Sequence, residues 1–235
     1  MLHQLPVCEC GLGRAGPACQ HAADMEAAQF SGSSYIRYPG LGDSALLWLS
    51  LELSFKPEAG DGILVYSGSE GGDWVAVVLD QGHLVFLMEL GSGVAVLRSE
   101  ERVELGAWHN VTVTRDHGHV ALHVHSREAG TAASPGPATQ LSLAGQLWLG
   151  GTGPGQQLPA QLSAARLSAA GYRGCVRRLA VNSLPVQLLY SASGSVGVAE
   201  CQAAPRPARP AAPHSAPAFS GRSYLAFNQS DILTK

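Results

Sequence analysis

Residues 46–55, LLWLSLELSF, alternate apolar and polar side chains with a period of two after the first two positions. Leu47, Leu49, Leu51, Leu53 and Phe55 point one way, and Trp48, Ser50, Glu52 and Ser54 the other. A helix would smear that pattern around its axis, so the segment reads as a strand with one buried face. Ile63–Tyr66 and Trp74–Leu79 are short apolar runs bounded by glycine and aspartate. Asp80-Gln81-Gly82-His83 reads as a turn, and Leu84–Leu90 returns from it. Val111–Thr114 runs to a second turn at Asp116-His117-Gly118, after which Val120, Leu122 and Val124 form the next inward face. Leu147–Gly151 ends another strand. Short strands at regular spacing, separated by turn signals, predict an all-β sandwich or barrel. Trp108 and Leu149 are expected in its core. The Ala-rich stretch 160–170, preceded by Pro159, has room for one helical turn.

Composition agrees with this reading. Of 235 residues, 46% are hydrophobic, enough for a core, while 14% are charged, against about 25% in an ordinary soluble chain. A net charge of −3 argues against affinity for nucleic-acid phosphate, which favours strongly basic domains. No apolar run approaches the roughly 20 residues of a membrane-spanning helix. The first ten residues, MLHQLPVCEC, lack the layout of a signal peptide, so a leader is expected upstream.

The five cysteines fall in two groups: Cys8, Cys10 and Cys19, then Cys175 and Cys201. There is no C-x-x-C pair of the zinc type, and close clusters suit disulfides of a secreted module. An odd count suggests a partner outside this chain. Residues 1–20, with C-x-C, then Gly13 and Gly16, then Cys19, resemble the closing part of an epidermal-growth-factor-like module. That resemblance implies a Cys10–Cys19 disulfide, with Cys8 pairing to a cysteine before residue 1. Gly11-x-Gly13-x-x-Gly16 imitates a dinucleotide fingerprint, but such a motif must lie between a strand and a helix. Here cysteines flank it and Pro17 follows.

Residues 202–217, rich in proline and alanine, read as a semi-rigid linker. Beyond it, Phe219–Tyr224 (FSGRSY) repeats Phe30–Tyr35 (FSGSSY) with one change. Residues 218–235 are therefore expected to open a second copy of the same domain, cut off at Lys235.

Residues 26–201 resemble a laminin G-like domain. The marks are F-x-G-x-S-Y at 30–35, F-K-P at 55–57, D-G-I-L-V-Y-S-G at 61–68 and L-G-S-G at 90–93. They continue as G-A-W-H at 106–109, L-W-L-G-G at 147–151 and Y-R-G-C at 172–175. The resemblance implies a jelly-roll sandwich of two antiparallel sheets, closed by a Cys175–Cys201 disulfide that contributes roughly 3 kcal/mol in the loop-entropy picture. It also implies a calcium site at the sandwich rim, built from the Asp73 side chain, the carbonyls of Leu90 and Gln140, and the Ser142 side chain. Family sites usually place Asp or Asn where this chain has Ser142. With one carboxylate the cage is weak, near the millimolar end of the extracellular range.

The remaining candidates are less specific. His117, His119, His123 and His125 cluster; on the expected strand His119, His123 and His125 share a face opposite Val120, Leu122 and Val124, and two at i and i+2 suit zinc, but without a third ligand they read as a solvent face. Asn110-Val111-Thr112 and Asn228-Gln229-Ser230 are glycosylation sequons. Arg98, Arg102, Arg173, Arg177 and Arg178 are the residues that would meet sulfate, although the negative net charge argues against strong heparin binding. No G-x-S-x-G elbow, H-E-x-x-H or phosphate loop is present. The expected role is thus non-enzymatic: an extracellular, secreted or cell-surface recognition module for matrix glycans and receptor ectodomains. A passive spacer between modules is the alternative. A carbohydrate-active enzyme is a third reading and needs paired carboxylates across a cleft, about 5–10 Å apart.

Overall fold

Antiparallel hairpins with tight turns generate most of the architecture. In the computed structural model, which describes residues 13–15, 20–22, 25–69, 71–160, 162 and 170–201, the chain is almost entirely strand and turn. In chain order the strands are β1 (Arg14–Ala15), β2 (His21–Ala22), β3 (Ala28–Ser31), β4 (Tyr35–Tyr38), β5 (Trp48–Pro57) and β6 (Gly62–Gly68). Next come β7 (Trp74–Asp80), β8 (His83–Glu89), β9 (Val94–Arg102), β10 (His109–Asp116), β11 (His119–Val124) and β12 (Arg127–Ala133). The last are β13 (Leu147–Leu149), β14 (Arg173–Val181), β15 (Leu184–Val186), β16 (Gly194–Val196) and β17 (Ala199–Glu200). The described residues belong to the first of two units, Met1–Cys201. No helix among them is long and apolar enough to cross a membrane.

One sheet runs β12-β11-β10-β5-β14-β3-β17, with β15 added to β14; the other runs β16-β4-β13-β6-β7-β8-β9. A small pair, β1-β2, stands apart from both. Every strand pair is antiparallel, which makes the jelly-roll sandwich of two antiparallel sheets. The turn between β7 and β8 is Gln81-Gly82, both at positive φ (50° and 82°), the two-residue hairpin geometry whose twist matches the flanking strands.

The main core fills the space between the sheets. Leu49, Leu51, Leu53 and Phe55 of β5 join Val75, Val77 and Leu79 of β7 and Leu84, Phe86 and Met88 of β8. Leu47, expected on that face, precedes β5 and is exposed, because the alternating phase begins with the strand. A second cluster lies on the other face of the β6–β8 sheet, where Tyr66, Trp74, Val78, Leu87 and Trp148 pack with Leu158 and Leu162. Burial on both faces explains why β6 and β7 are unbroken apolar runs rather than alternating ones.

Leu149 is fully buried, but Trp108 is only half-buried. The phase of β10 explains the correction: His109, Val111, Val113 and Arg115 point inward, so Trp108 belongs to the outer row. Val120 and Leu122 are buried, whereas Val124 is only partly so, after a register shift between Leu122 and His123.

Cys175 and Cys201 are joined, with Cα atoms 5.8 Å apart, tying β14 to the end of β17. Cys8, Cys10, Cys19, Asn228, the linker 202–217 and the repeat 218–235 lie outside the described residues, as do most of the growth-factor-like stretch 1–20 and of the Ala-rich stretch 160–170.

Candidate functional site

Asp73 immediately precedes β7 and Leu90 immediately follows β8. Trp74 pairs with Glu89 across that hairpin, so Asp73 and Leu90 flank the same open end. The segment 139–143 approaches this end from the other sheet. Leu141 and Leu143 are buried while Gln140 and Ser142 are exposed, so simple alternation turns the Ser142 side chain outward. The Ser142 amide donates to Asp73 Oδ2 at 2.8 Å. The rim thus brings Asp73 and Ser142 together, with Leu90 across the hairpin end and Gln140 two residues upstream.

Sequence reasoning passed over the residue that holds this segment in place. Arg115 is fully buried and donates to the carbonyls of Ala45 (2.8 Å), Leu46 (3.2 Å) and Thr139 (2.6 Å). The Leu141 amide in turn donates to Leu46 O at 2.9 Å. Desolvation pushes the Arg115 pKa down, while Asp73 and Asp116 act in the opposite direction. An arginine remains charged in such a setting, so a fixed positive charge stands behind the rim. The signal was available, since Arg115 continues the inward phase of Val111 and Val113.

Beside the rim lies a cleft of about 550 Å³, lined among others by Asp73, Trp74, Glu89, Gly91, Gln157 and Leu158. It takes Asp73 from the four candidate ligands but not Leu90, Gln140 or Ser142. Glu89 Oε1 accepts the amides of Gly91 (2.7 Å) and Gly93 (2.9 Å), closing the turn after β8. Asp73 and Glu89 therefore share a cleft, but each carboxylate already organises a loop through an amide.

As a donor set, the rim offers one carboxylate, one hydroxyl and two carbonyls, all hard oxygens of the kind calcium prefers. One Asp73 oxygen is engaged by the Ser142 amide. The set fits a weak calcium site rather than a strong one.

Among the other candidates, His109 Nδ1 and His125 Nε2 meet at 3.1 Å, and the second His109 nitrogen lies 2.8 Å from Glu104 O. His125 is in a turn at φ 49°, so it does not share a strand face with His119 and His123. Among the described residues no three His, Cys, Asp or Glu side chains are grouped to hold a metal. Arg98 pairs with Asp80 and Arg178 with Glu52. Arg102 Nε donates to His83 Nε2, and the Arg173 stem packs beside Gly32. Arg177 lies 4.4 Å over the Trp108 ring, with Lys56 at 5.6 Å. Asn110 is exposed on the outer face of β10.

The model of the laminin G domain family matches residues 55–184. The chain is 39% identical over 83% of its length to the basement membrane-specific heparan sulfate proteoglycan core protein of Mus musculus, of which it covers 5%. It is 32% identical over 83% of its length to pikachurin of Rattus norvegicus, of which it covers 20%. Among solved structures, domains LG4-5 of the mouse laminin alpha1 chain align over 84% of this chain and 50% of that one, with a TM-score of 0.68 and 20% identity. The chain thus spans a small part of the curated relatives it matches.

Proposed function

Because the chain belongs to the laminin G domain family, we propose that it is an extracellular recognition module that takes acidic glycans of the matrix or cell surface, or receptor ectodomains bearing them, at the Asp73 rim. The coarse part of this reading rests on relatives that are matrix proteins and carry domains of a binding family. The rim is favoured by one observation: Ser142 is held against Asp73 beside a cleft that also contains Glu89. Such a surface repels an anion by itself. Calcium held by Asp73, the Ser142 hydroxyl and the carbonyls of Gln140 and Leu90 would supply the positive charge that bridges to an acidic ligand. Arg115 keeps the 139–142 segment in position for that role.

No enzymatic step is assigned, since Asp73 and Glu89 serve their loops as amide acceptors. Residues 1–20 are read as the end of a growth-factor-like module, 202–217 as a linker and 218–235 as the start of a second laminin G-like domain. The chain would then be one link of a multidomain protein. Screening the intact chain on an array of acidic glycans, with calcium and with chelator, tests the proposal. Binding abolished by chelator and by Asp73→Ala is expected. Binding indifferent to both removes the rim from the account, and failure to bind any glycan or cell surface favours the spacer reading.

A further inference from the structure

The outer face of the eight-stranded sheet carries a modification site and a cationic patch in the same groove. We propose that Asn110 bears an N-linked glycan and that this glycan closes the patch to polyanions.

Strand β10 presents Asn110 and Thr112 on its outer side, with Val111 between them buried. The sequon's amide and hydroxyl therefore face solvent together. Asn110 pairs with Ser54 of β5, and Ser54 pairs on its other side with Arg178 of β14. The patch is a product of a β-bulge. The register of β14 against β5 shifts between Val176 and Arg178, so Arg177 and Arg178 are both exposed although they are consecutive. A bulge re-aims side chains in this way. Arg177 Nε donates to Ser54 Oγ at 2.8 Å, and its guanidinium lies over Trp108 beside Lys56. Arg178 is paired with Glu52 at 2.9 Å. Arg177 has no carboxylate partner among the described residues, which leaves its charge for a ligand.

A groove of about 480 Å³ includes Ser54, Asn110, Arg177 and Arg178 in its wall. Asn110 stands two interstrand spacings from Arg178, about 10 Å, so a sugar chain rooted on its Nδ2 starts at the wall of this groove, within reach of the arginines. In the transfer, Nδ2 bonds to C1 of an oligosaccharide carried on a lipid pyrophosphate. The bond from C1 to the pyrophosphate oxygen breaks, the lipid pyrophosphate leaves, and the amide loses one proton. The transfer precedes folding, because β10 is paired on both edges in the finished sheet. It rests on the extracellular reading, since that donor is met only on the secretory route.

The test uses the full chain carrying Asn228→Gln, secreted from a eukaryotic line behind an added leader. Peptide mapping should find the Asn110 peptide carrying a glycan that peptide N-glycosidase removes. On a heparin column, Asn110→Gln and Thr112→Val should both elute at higher salt than the glycosylated chain. Thr112→Ser, which keeps the sequon, should not shift. Adding Arg177→Ala to Asn110→Gln should return elution toward lower salt. An unmodified Asn110 peptide in secreted material with Cys175 and Cys201 joined overturns the proposal and leaves the extracellular reading intact. Equal elution of glycosylated and unglycosylated chains overturns the shielding. Secreted chain with both of those cysteines freely alkylatable strikes instead at the extracellular reading.

Discussion

Arg115 sits where its neighbours in phase, Val111 and Val113, are core side chains, yet it donates hydrogen bonds to the backbone carbonyls of Ala45, Leu46 and Thr139. Removing a charged donor and leaving its acceptors buried costs about 1–3 kcal/mol for each group stranded. Arg115→Met should therefore lower stability by at least about 3 kcal/mol in urea unfolding, and a loss under about 1 kcal/mol would contradict the role assigned to it. Two tyrosines give a pH signature. Burial pushes the Tyr66 hydroxyl up to about 12. Burial first, and then Glu58, raise Tyr172 further, against a lowering hydrogen bond to the Lys56 backbone. Above pH 10 the unfolded chain has lost these protons while the folded one keeps them, so the unfolded state binds fewer and stability falls as pH rises. It should be full below pH 10, decline toward about 12 for Tyr66, and keep declining beyond that for Tyr172. Urea midpoints measured between pH 9 and 11.5 should show the decline, and Tyr66→Phe with Tyr172→Phe should flatten it. At this scale alternation was legible for β5. The same rule applied to β10 identifies Arg115 as inward and Trp108 as outward, but the size of a tryptophan outweighed the phase in the expectation for Trp108.

Strand β14 shows what elements add. It lies between β5 and β3, and the Cys175–Cys201 disulfide ties it to the residue just past β17, 26 positions later. Opening a loop of that size should cost roughly 3 kcal/mol in the entropic model. Paired Cys175→Ser and Cys201→Ser replacement is expected to show that loss in thermal or urea unfolding, and an unchanged midpoint would contradict it. The two faces of the sandwich separate in the same assay. Leu149 is fully buried, and Leu149→Ala should cost about 2–5 kcal/mol. Trp108 is half-buried under Lys56 and Arg177, so Trp108→Ala should cost clearly less than Leu149→Ala. The reverse order would mean that the phase of β10 is misread. The turn at Gln81-Gly82 was readable because turn chemistry is local. The bulges were not, because a register shift depends on the partner strand, and with them went the paired exposure of Arg177 and Arg178.

At the scale of the whole molecule, the sandwich gathers at one rim groups that are far apart in sequence. The end of one hairpin supplies Asp73 and Leu90, and a later segment supplies Gln140 and Ser142, held by Arg115 from below. The four positions came from family resemblance, and nothing in their spacing alone would have united them. The phase of β10 marks Arg115 as inward, but the carbonyls it holds and the hydrogen bond from the Ser142 amide to Asp73 are tertiary facts that no local pattern encodes. The central claim is that this rim is a recognition site bridged by calcium. Isothermal titration with calcium of the intact chain, of Asp73→Ala and of Ser142→Asp tests it most directly. Wild type should bind weakly, near the millimolar range expected for so few charged ligands. Asp73→Ala should not bind, and Ser142→Asp should bind measurably tighter because it adds a second carboxylate. Asp73→Ala binding calcium as well as wild type would contradict the account.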